Sequence, residues 1–349
     1  MARSSRKSRR TTPWDSAEKL TPTQAFLKGH YEAHYKERHP LLKETGEAEL
    51  INSYRPAKCP YCGSERFQKY GFNPNGVQKY RCTCGKMFIP TTGTIFDEHK
   101  ISLSEWMEYC LNIFRYVSIN ADSWNNKNAY TTSQYWFRKL LLTLEDYQEN
   151  IVLSGRVFLD ETFYSLRKGD LIHNADGSEL RGLSRNQICI GVATDERQCV
   201  LVIEGTGKPT QDETFQAFSK HIAKGSVLVH DKEDAHNKLV RELNLQSEAY
   251  LSADLKQLDD KSNPLAPVNR IHDLFKRFLY AHNSFNRDFI QSYADLFAFV
   301  INPPHDQLEK VEQIVKMAFE SPKVLRYRDM FSKKTDSCVC KTNHVQVTV

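Results

Sequence analysis

No apolar run among the 349 residues approaches the roughly 20 positions a helix needs to cross a bilayer, so no membrane-spanning helix is expected. A secretory leader is not expected either. The first ten residues hold Arg3, Arg6, Lys7, Arg9 and Arg10 with no acid and no apolar stretch, and a cytoplasmic protein is expected. Cysteine is sparse: nine unevenly spread residues are too few for a disulfide scaffold, and in a reducing compartment paired cysteines point to metal. No internal repeat is visible. What the chain does have is ordinary globular material, 40% hydrophobic and 26% charged, which excludes a wholly disordered or collagen-like polymer. Its net charge of +5 permits a polyanionic partner without demanding one. The length suggests two or three domains.

Texture divides the chain into a basic arm with a helix (1–56), a cysteine-punctuated segment (57–92), a helical segment (100–150), a strand-rich region (155–305) and a C-terminal helix and tail (306–349). The arm reads either as a phosphate-binding tail or as a solubilising extension. Thr21, Pro22 and Gln24 predict a capped helix start. His30, Glu32, His34 and His39 follow, in the order H-x-E-x-H, which fits a solvated helix face better than a zinc protease. Ser102 and Glu105 form a capping box ahead of Leu103, Trp106, Met107, Cys110, Ile113, Phe114 and Val117 at helical spacing. A polar break at 120–128 leads to a second helix from about Thr132, with Trp136, Phe137, Leu140, Leu141 and Leu144 as its apolar stripe. That order suits a helix-turn-helix, as it suits any small three-helix bundle.

Beyond Gly155 the pattern turns strand-like. Val157–Leu159 runs into Asp160, and 188–194 with 199–203 predict a hairpin about Asp195–Gln198. A helix over 214–222 precedes the buried strand Val227–Val229, which ends at His230 and Asp231. After it come a helix through Leu239 and Leu243, a short strand near Tyr250, and long helices over 268–280 and 289–300. Three strands including a hairpin, then alternating helix and strand, is the order of a ribonuclease H-like α/β domain.

Two groups of residues carry chemistry. Cys59-Pro-Tyr-Cys62 and Cys82-Thr-Cys84 offer four thiolates on two tight turns, the cage structural zinc prefers; buried free thiols are the alternative. The second pair has one intervening residue where zinc ribbons usually have two. Cys110, Cys189 and Cys199 fall on core faces, and Cys338, Cys340 and His344 could bind metal but fit a loose tail better. Asp160 and Asp231, each at the end of an apolar strand, can share divalent ions, or can simply open a turn or cap a helix. Asn269, His272, Asp273 and Lys276 share one polar helix face. The Asn269 amide oxygen is a legitimate but neutral magnesium ligand.

With those pieces in place, the chain resembles the bacterial insertion-sequence transposases of the insertion sequence 1595 type. The resemblance is carried by CPYCGSERFQKYG, YRCTCGKMF, TTGTIF, ISLSEW, FLDETFYS, VLVHDKEDAHNKL, VNRIHDLFKRFL and FIQSYADLFAFVIN, in family order from about residue 57 to 302. It implies a multidomain protein: a zinc ribbon, a helix-turn-helix-like DNA-binding segment, and a ribonuclease H-like catalytic domain with a mixed sheet. The implied activity is that of a DNA transposase, which cuts at terminal inverted repeats and joins the 3′ ends to target DNA by two-metal phosphodiester transfer.

Matched by position, the family's two aspartates, its glutamate or asparagine, and the lysine seven positions on fall at Asp160, Asp231, Asn269 and Lys276. The resemblance further implies two Mg²⁺ (or Mn²⁺) on Asp160, Asp231 and Asn269, and one Zn²⁺ on Cys59, Cys62, Cys82 and Cys84. Lys276 would bind phosphate, and Arg138 and Lys139 are candidate DNA contacts. Glu161 fits the family pattern but should face away from the metals, since strand neighbours point oppositely. Asp273 could supply a missing carboxylate. The implied partners are double-stranded DNA and at least a second copy of the chain, in a nucleoid-associated protein. The rivals are a zinc-dependent DNA-binding regulator without catalysis, and a ribonuclease H-like nuclease or resolvase.

Overall fold

The computed structural model describes residues 21–23, 25–26, 44–98, 102–125, 128–259, 261–282, 286–321 and 323–330. The basic arm, Gln24, the His30–His39 stretch, Cys338, Cys340 and His344 lie outside the described residues. Two compact units form, one from the residues up to Thr143 with those from Val311 on, the other from Leu144 to Lys310. None of the described helices is long and apolar enough to cross a membrane.

The first unit opens with helix α1 (Glu44–Ser53), then strands β1 (Phe67–Phe72), β2 (Gln78–Cys82) and β3 (Met87–Phe88), an antiparallel sheet in the order β1-β2-β3. Its small core is Cys59, Tyr80, Cys82 and Phe88, with Phe67 packed against them. Helices α2 (Leu103–Phe114), α3 (Ile119–Asn125) and α4 (Tyr130–Thr143) follow, α3 occupying much of the stretch that reads as a polar break in the sequence. Ser102 Oγ accepts the Glu105 N–H at the start of α2, and Trp106, Cys110, Ile113 and Phe114 are buried as their spacing predicts. So are Trp136, Phe137, Leu140 and Leu141 on α4.

In the second unit a five-stranded mixed sheet runs in the order β6-β5-β4-β7-β8, from β4 (Arg156–Ser165), β5 (Gln187–Thr194), β6 (Cys199–Thr206), β7 (Val227–Asp231) and β8 (Gln246–Tyr250). The first three are antiparallel neighbours, while β4–β7 and β7–β8 are parallel. The β5–β6 turn forms as predicted, with Asp195 Oδ1 accepting the N–H groups of Arg197 and Gln198. Helices α5 (Gln211–Phe218) and α6 (Asn237–Glu242) lie on one face. There Ala217, Phe218 and Leu239 join Val157, Leu159, Ala193, Val200 and Leu228 in a single apolar cluster. The short α7 (Ser252–Leu255) leads to α8 (Ala266–Ala281), packed on β4 and β5, and α9 (Ile290–Ile301), packed on β6. Phe275 and Phe278 of α8 meet Phe297 of α9 at ring-centroid distances of 5.0 and 5.6 Å. The last helices are α10 (Gln307–Glu320) and α11 (Tyr327–Met330). Sheet and helices together are compatible with a ribonuclease H-like α/β domain.

Two expectations are corrected. Asp160 does not end its strand: β4 runs on to Ser165, because antiparallel pairing with β5 continues where parallel pairing with β7 has stopped at Leu159 and His230. The helix expected over 214–222 instead spans Gln211–Phe218. A capping box between Thr210 and Glu213 starts it earlier.

The outer edge of β6 is closed by side chains. Asn302 bonds both the N–H and the C=O of Cys199. Gln148 does the same at Leu201, while Gln291 takes the Ile203 N–H and adds a second donor to the Leu201 C=O. Asp295 Oδ1, on α9, accepts from both glutamines at 2.7 and 3.0 Å. Amides thus do for this strand what a further strand would do.

Candidate metal centres

The parallel register sets the acidic site. Leu159 pairs with His230, so one step further along places Asp160 beside Asp231, on strands roughly 4.8 Å apart. Alternation turns Asp160 towards α8 and Glu161 towards α5 and α6. Even so, ligand oxygens of Asp160, Glu161 and Asp231 all lie within 4.8 Å of one another. Burial, then repulsion from Glu161 and Asp231, pushes the Asp160 carboxyl up to about 7. Burial also raises Asp231, whose Oδ1 is enclosed and has no hydrogen-bond partner among the described residues. A convergent, part-buried set of hard oxygens with one lone pair left unused is the donor set a divalent cation takes, so the residues fit magnesium.

Histidines surround this site. His236 Nε2 lies 2.8 Å from Glu161 Oε1, and its Nδ1 is 3.8 Å from Asp231 Oδ1. Burial opposes charging this ring, but the hydrogen bond and charge of Glu161, with Asp231 and Glu204, outweigh it and carry His236 up to about 9. His230 is held down near 4 by burial and by His236. Glu204, on β6, is raised to about 8 by burial and then by Glu161, and accepts from the Cys189 thiol at 3.6 Å.

From the opposite face, α8 brings His272 Nδ1 to 4.0 Å from Asp160 Oδ2. Burial and the Lys276 cation depress His272 to about 4. Asn269 and Lys276, one turn to either side, share that face; Asn269 is half-buried, while Lys276 and Asp273 are exposed.

Sequence reasoning therefore named the aspartates and the α8 face but passed over His236, His230 and Glu204. The first two could have been noticed as the flanks of Asp231 in His230-Asp231-x4-His236. Lys139 needs correcting as a DNA contact. It is buried, its ammonium 4.4 Å from the centroid of the Tyr135 ring, and desolvation lowers it to about 8. Arg138, its neighbour on α4, is half-buried.

The four cysteines of the first unit converge. Cys59 and Cys84 sulfurs are 3.9 Å apart and those of Cys62 and Cys82 3.6 Å, and all four lie within 4.8 Å of one another. A tetrahedron of sulfurs at 2.3 Å from zinc has edges of about 3.8 Å, so the set fits that ion. The turns are alike: Gly63 and Gly85 follow the second cysteine of each pair at φ of 71° and 83°, and donate back to the Cys59 and Cys82 carbonyls. The single-residue spacing of the second pair does not keep Cys84 out of the cluster. The Cys84 amide, followed by the neighbouring thiols, lowers Cys82 to about 6, towards the thiolate a metal binds.

No protein-family model matches the chain, and no curated protein matches it in sequence. Among solved structures it is similar to a pre-cleavage Mos1 transpososome, with 9% identity and a TM-score of 0.24 over 63% of this chain and 79% of that one. Values that low carry no argument about function, which rests on the sites themselves.

Proposed function

We propose that the chain is a DNA transposase that cuts at the terminal inverted repeats of its own element and joins the freed 3′ ends to target DNA. The observation that carries this reading is the meeting of Asp160 and Asp231 on adjacent strands, with Asp231 Oδ1 buried and without a hydrogen bond among the described residues. The ordered motifs of the insertion sequence 1595 type support it.

Asp160, Asp231 and Asn269 would hold two Mg²⁺ ions (or Mn²⁺), which supply activation of the attacking oxygen and stabilisation of the leaving one. Both aspartates hang from paired strands, so their carboxylates are preorganised. Asn269 adds an oxygen without charge. Lys276, exposed about two turns further along α8, is free to reach a flanking phosphate. His272, buried on α8, borders Asp160 on that side. In the first unit, Cys59, Cys62, Cys82 and Cys84 would bind one structural Zn²⁺. The resulting ribbon, with α2–α4 and Arg138, would grip the repeat, with a salt dependence set by its phosphate contacts. Bringing two ends together requires at least a dimer.

The test is cleavage and joining of a duplex bearing the element's ends in Mg²⁺. Asp160→Asn and Asp231→Asn should abolish both steps and leave DNA binding intact. Wild-type activity in both variants sinks the proposal. A chain that binds but never nicks is a regulator, and nicking without joined products marks a nuclease.

A further inference from the structure

Strand alternation turns Glu161 to the face opposite Asp160, yet its carboxylate reaches the same acidic cluster. It can do so because β4 and β7 stop pairing at Leu159 and His230, which leaves an open rim at that level. Its position is also fixed from behind. Glu161 Oε1 meets His236 Nε2 at 2.8 Å, His236 Nδ1 meets His230 Nδ1 at 2.9 Å, and His230 Nε2 meets Ser247 Oγ at 2.9 Å. A single file of hydrogen bonds therefore crosses from β8 through β7 to the start of α6 and ends on this carboxylate. An ionised Glu161 can only accept, so His236 donates Nε2–H to it; with the inter-ring proton on His230 the His236 ring is neutral, and with it on His236 Nδ1 the ring is an imidazolium. The His236 side chain is 0% exposed and that of Glu161 only 7%, so neither is placed by chance contact with solvent.

We propose that Glu161 is a third carboxylate of the cation site, and that Ser247, His230 and His236 are the positioning residues that hold it there. With Oε1 occupied by His236, Oε2 is the oxygen offered to a cation. Charge makes the same case. Asn269 is neutral and Asp273 is exposed and outside the acidic cluster, so without Glu161 that cluster would offer two divalent ions two aspartates. Backing by a histidine file is what orients a metal-ligating carboxylate, and loss of such a partner weakens metal affinity by roughly 10–100-fold.

This inference rests on the metal-dependent reading above, and one experiment separates their failures. Mn²⁺ is titrated into the full chain without DNA and free ion is read by electron paramagnetic resonance, with melting temperature as the control for folding. His236→Ala is expected to weaken Mn²⁺ binding roughly 10–100-fold, Glu161→Gln by more than that, and Ser247→Ala by less than about tenfold. The His236→Ala loss should be restored by added imidazole, a rescue that general destabilisation would not give. Should Glu161→Gln bind Mn²⁺ like wild type while Asp160→Asn does not, the third carboxylate is disproved and the aspartate site stands. Wild-type binding in both variants overturns both proposals. If His236→Ala folds and weakens but imidazole fails to restore it, the positioning role falls. If it does not fold, Glu161→Gln and Ser247→Ala decide the matter.

Discussion

The Asp160 side chain is 24% exposed and shares its cluster with two further carboxylates, so its negative charge is costly in the metal-free chain. Asp160→Asn should therefore reduce strand cleavage by roughly 100-fold or more while leaving the melting temperature in chelator unchanged or higher. A variant that loses activity and stability together would mean the residue is structural. Gly191 makes the opposite case. It lies opposite Glu161 on β5, and a Cβ there would come within 2.5 Å of the Phe218 ring and 2.9 Å of the Glu204 carboxyl carbon. Gly191→Ala is expected to cost about 1–3 kcal/mol by overpacking, measurable as a drop in the urea midpoint with the slope unchanged.

At the level of elements, α9 and β6 are joined by amides that converge on Asp295, and this gives a pH signature away from the acidic site. Burial raises Asp295 from the ordinary 3.8 to about 7, although the hydrogen bonds of Gln148 and Gln291 pull the other way. Because the folded value is the higher one, its stabilising contribution is complete below the unfolded value and is lost as pH rises through about 7. Asp295→Asn should match wild type near pH 4 and exceed it by roughly 2–4 kcal/mol near pH 8, as read from urea unfolding at the two pH values. A constant difference across that range would show that the carboxyl does not titrate as placed.

Elements were legible where apolar spacing and turn chemistry agree. Trp106 to Phe114, the Asp195 turn, the Val227–Val229 strand and the long helices over 268–280 and 289–300 all form close to where they were expected. What escaped depended on partners distant in sequence. Glu161 and Thr162 look like residues past the end of a strand until β5 is there to pair with them. Lys139 looks solvent-facing until Tyr135 and the surrounding core enclose it. His236 meets Glu161 only after β7 and the start of α6 are laid beside β4.

For the molecule as a whole, the two compact units differ in what holds them. Among the described residues the sheet β1–β3 has a core cluster of four buried residues, two of them cysteines of the thiol cluster, so an ion held there would supply much of its folding energy. Chelation of zinc, or Cys62→Ser, should strip hydrogen-exchange protection from β1–β3 while the amides of β4, β5 and β7 stay protected. Equal loss in both units would show that the ion is not a local support.

The adjacency of the two aspartates follows from the last rung of one backbone ladder, one residue before each of them. It comes into being when the strands zip and needs no later adjustment by surrounding side chains. Repacking the apolar layer, even at a large thermodynamic penalty, should leave their spacing untouched for as long as the ladder holds. Warming should then extinguish the chemistry abruptly, in step with sheet melting, rather than through a long prelude of fading competence.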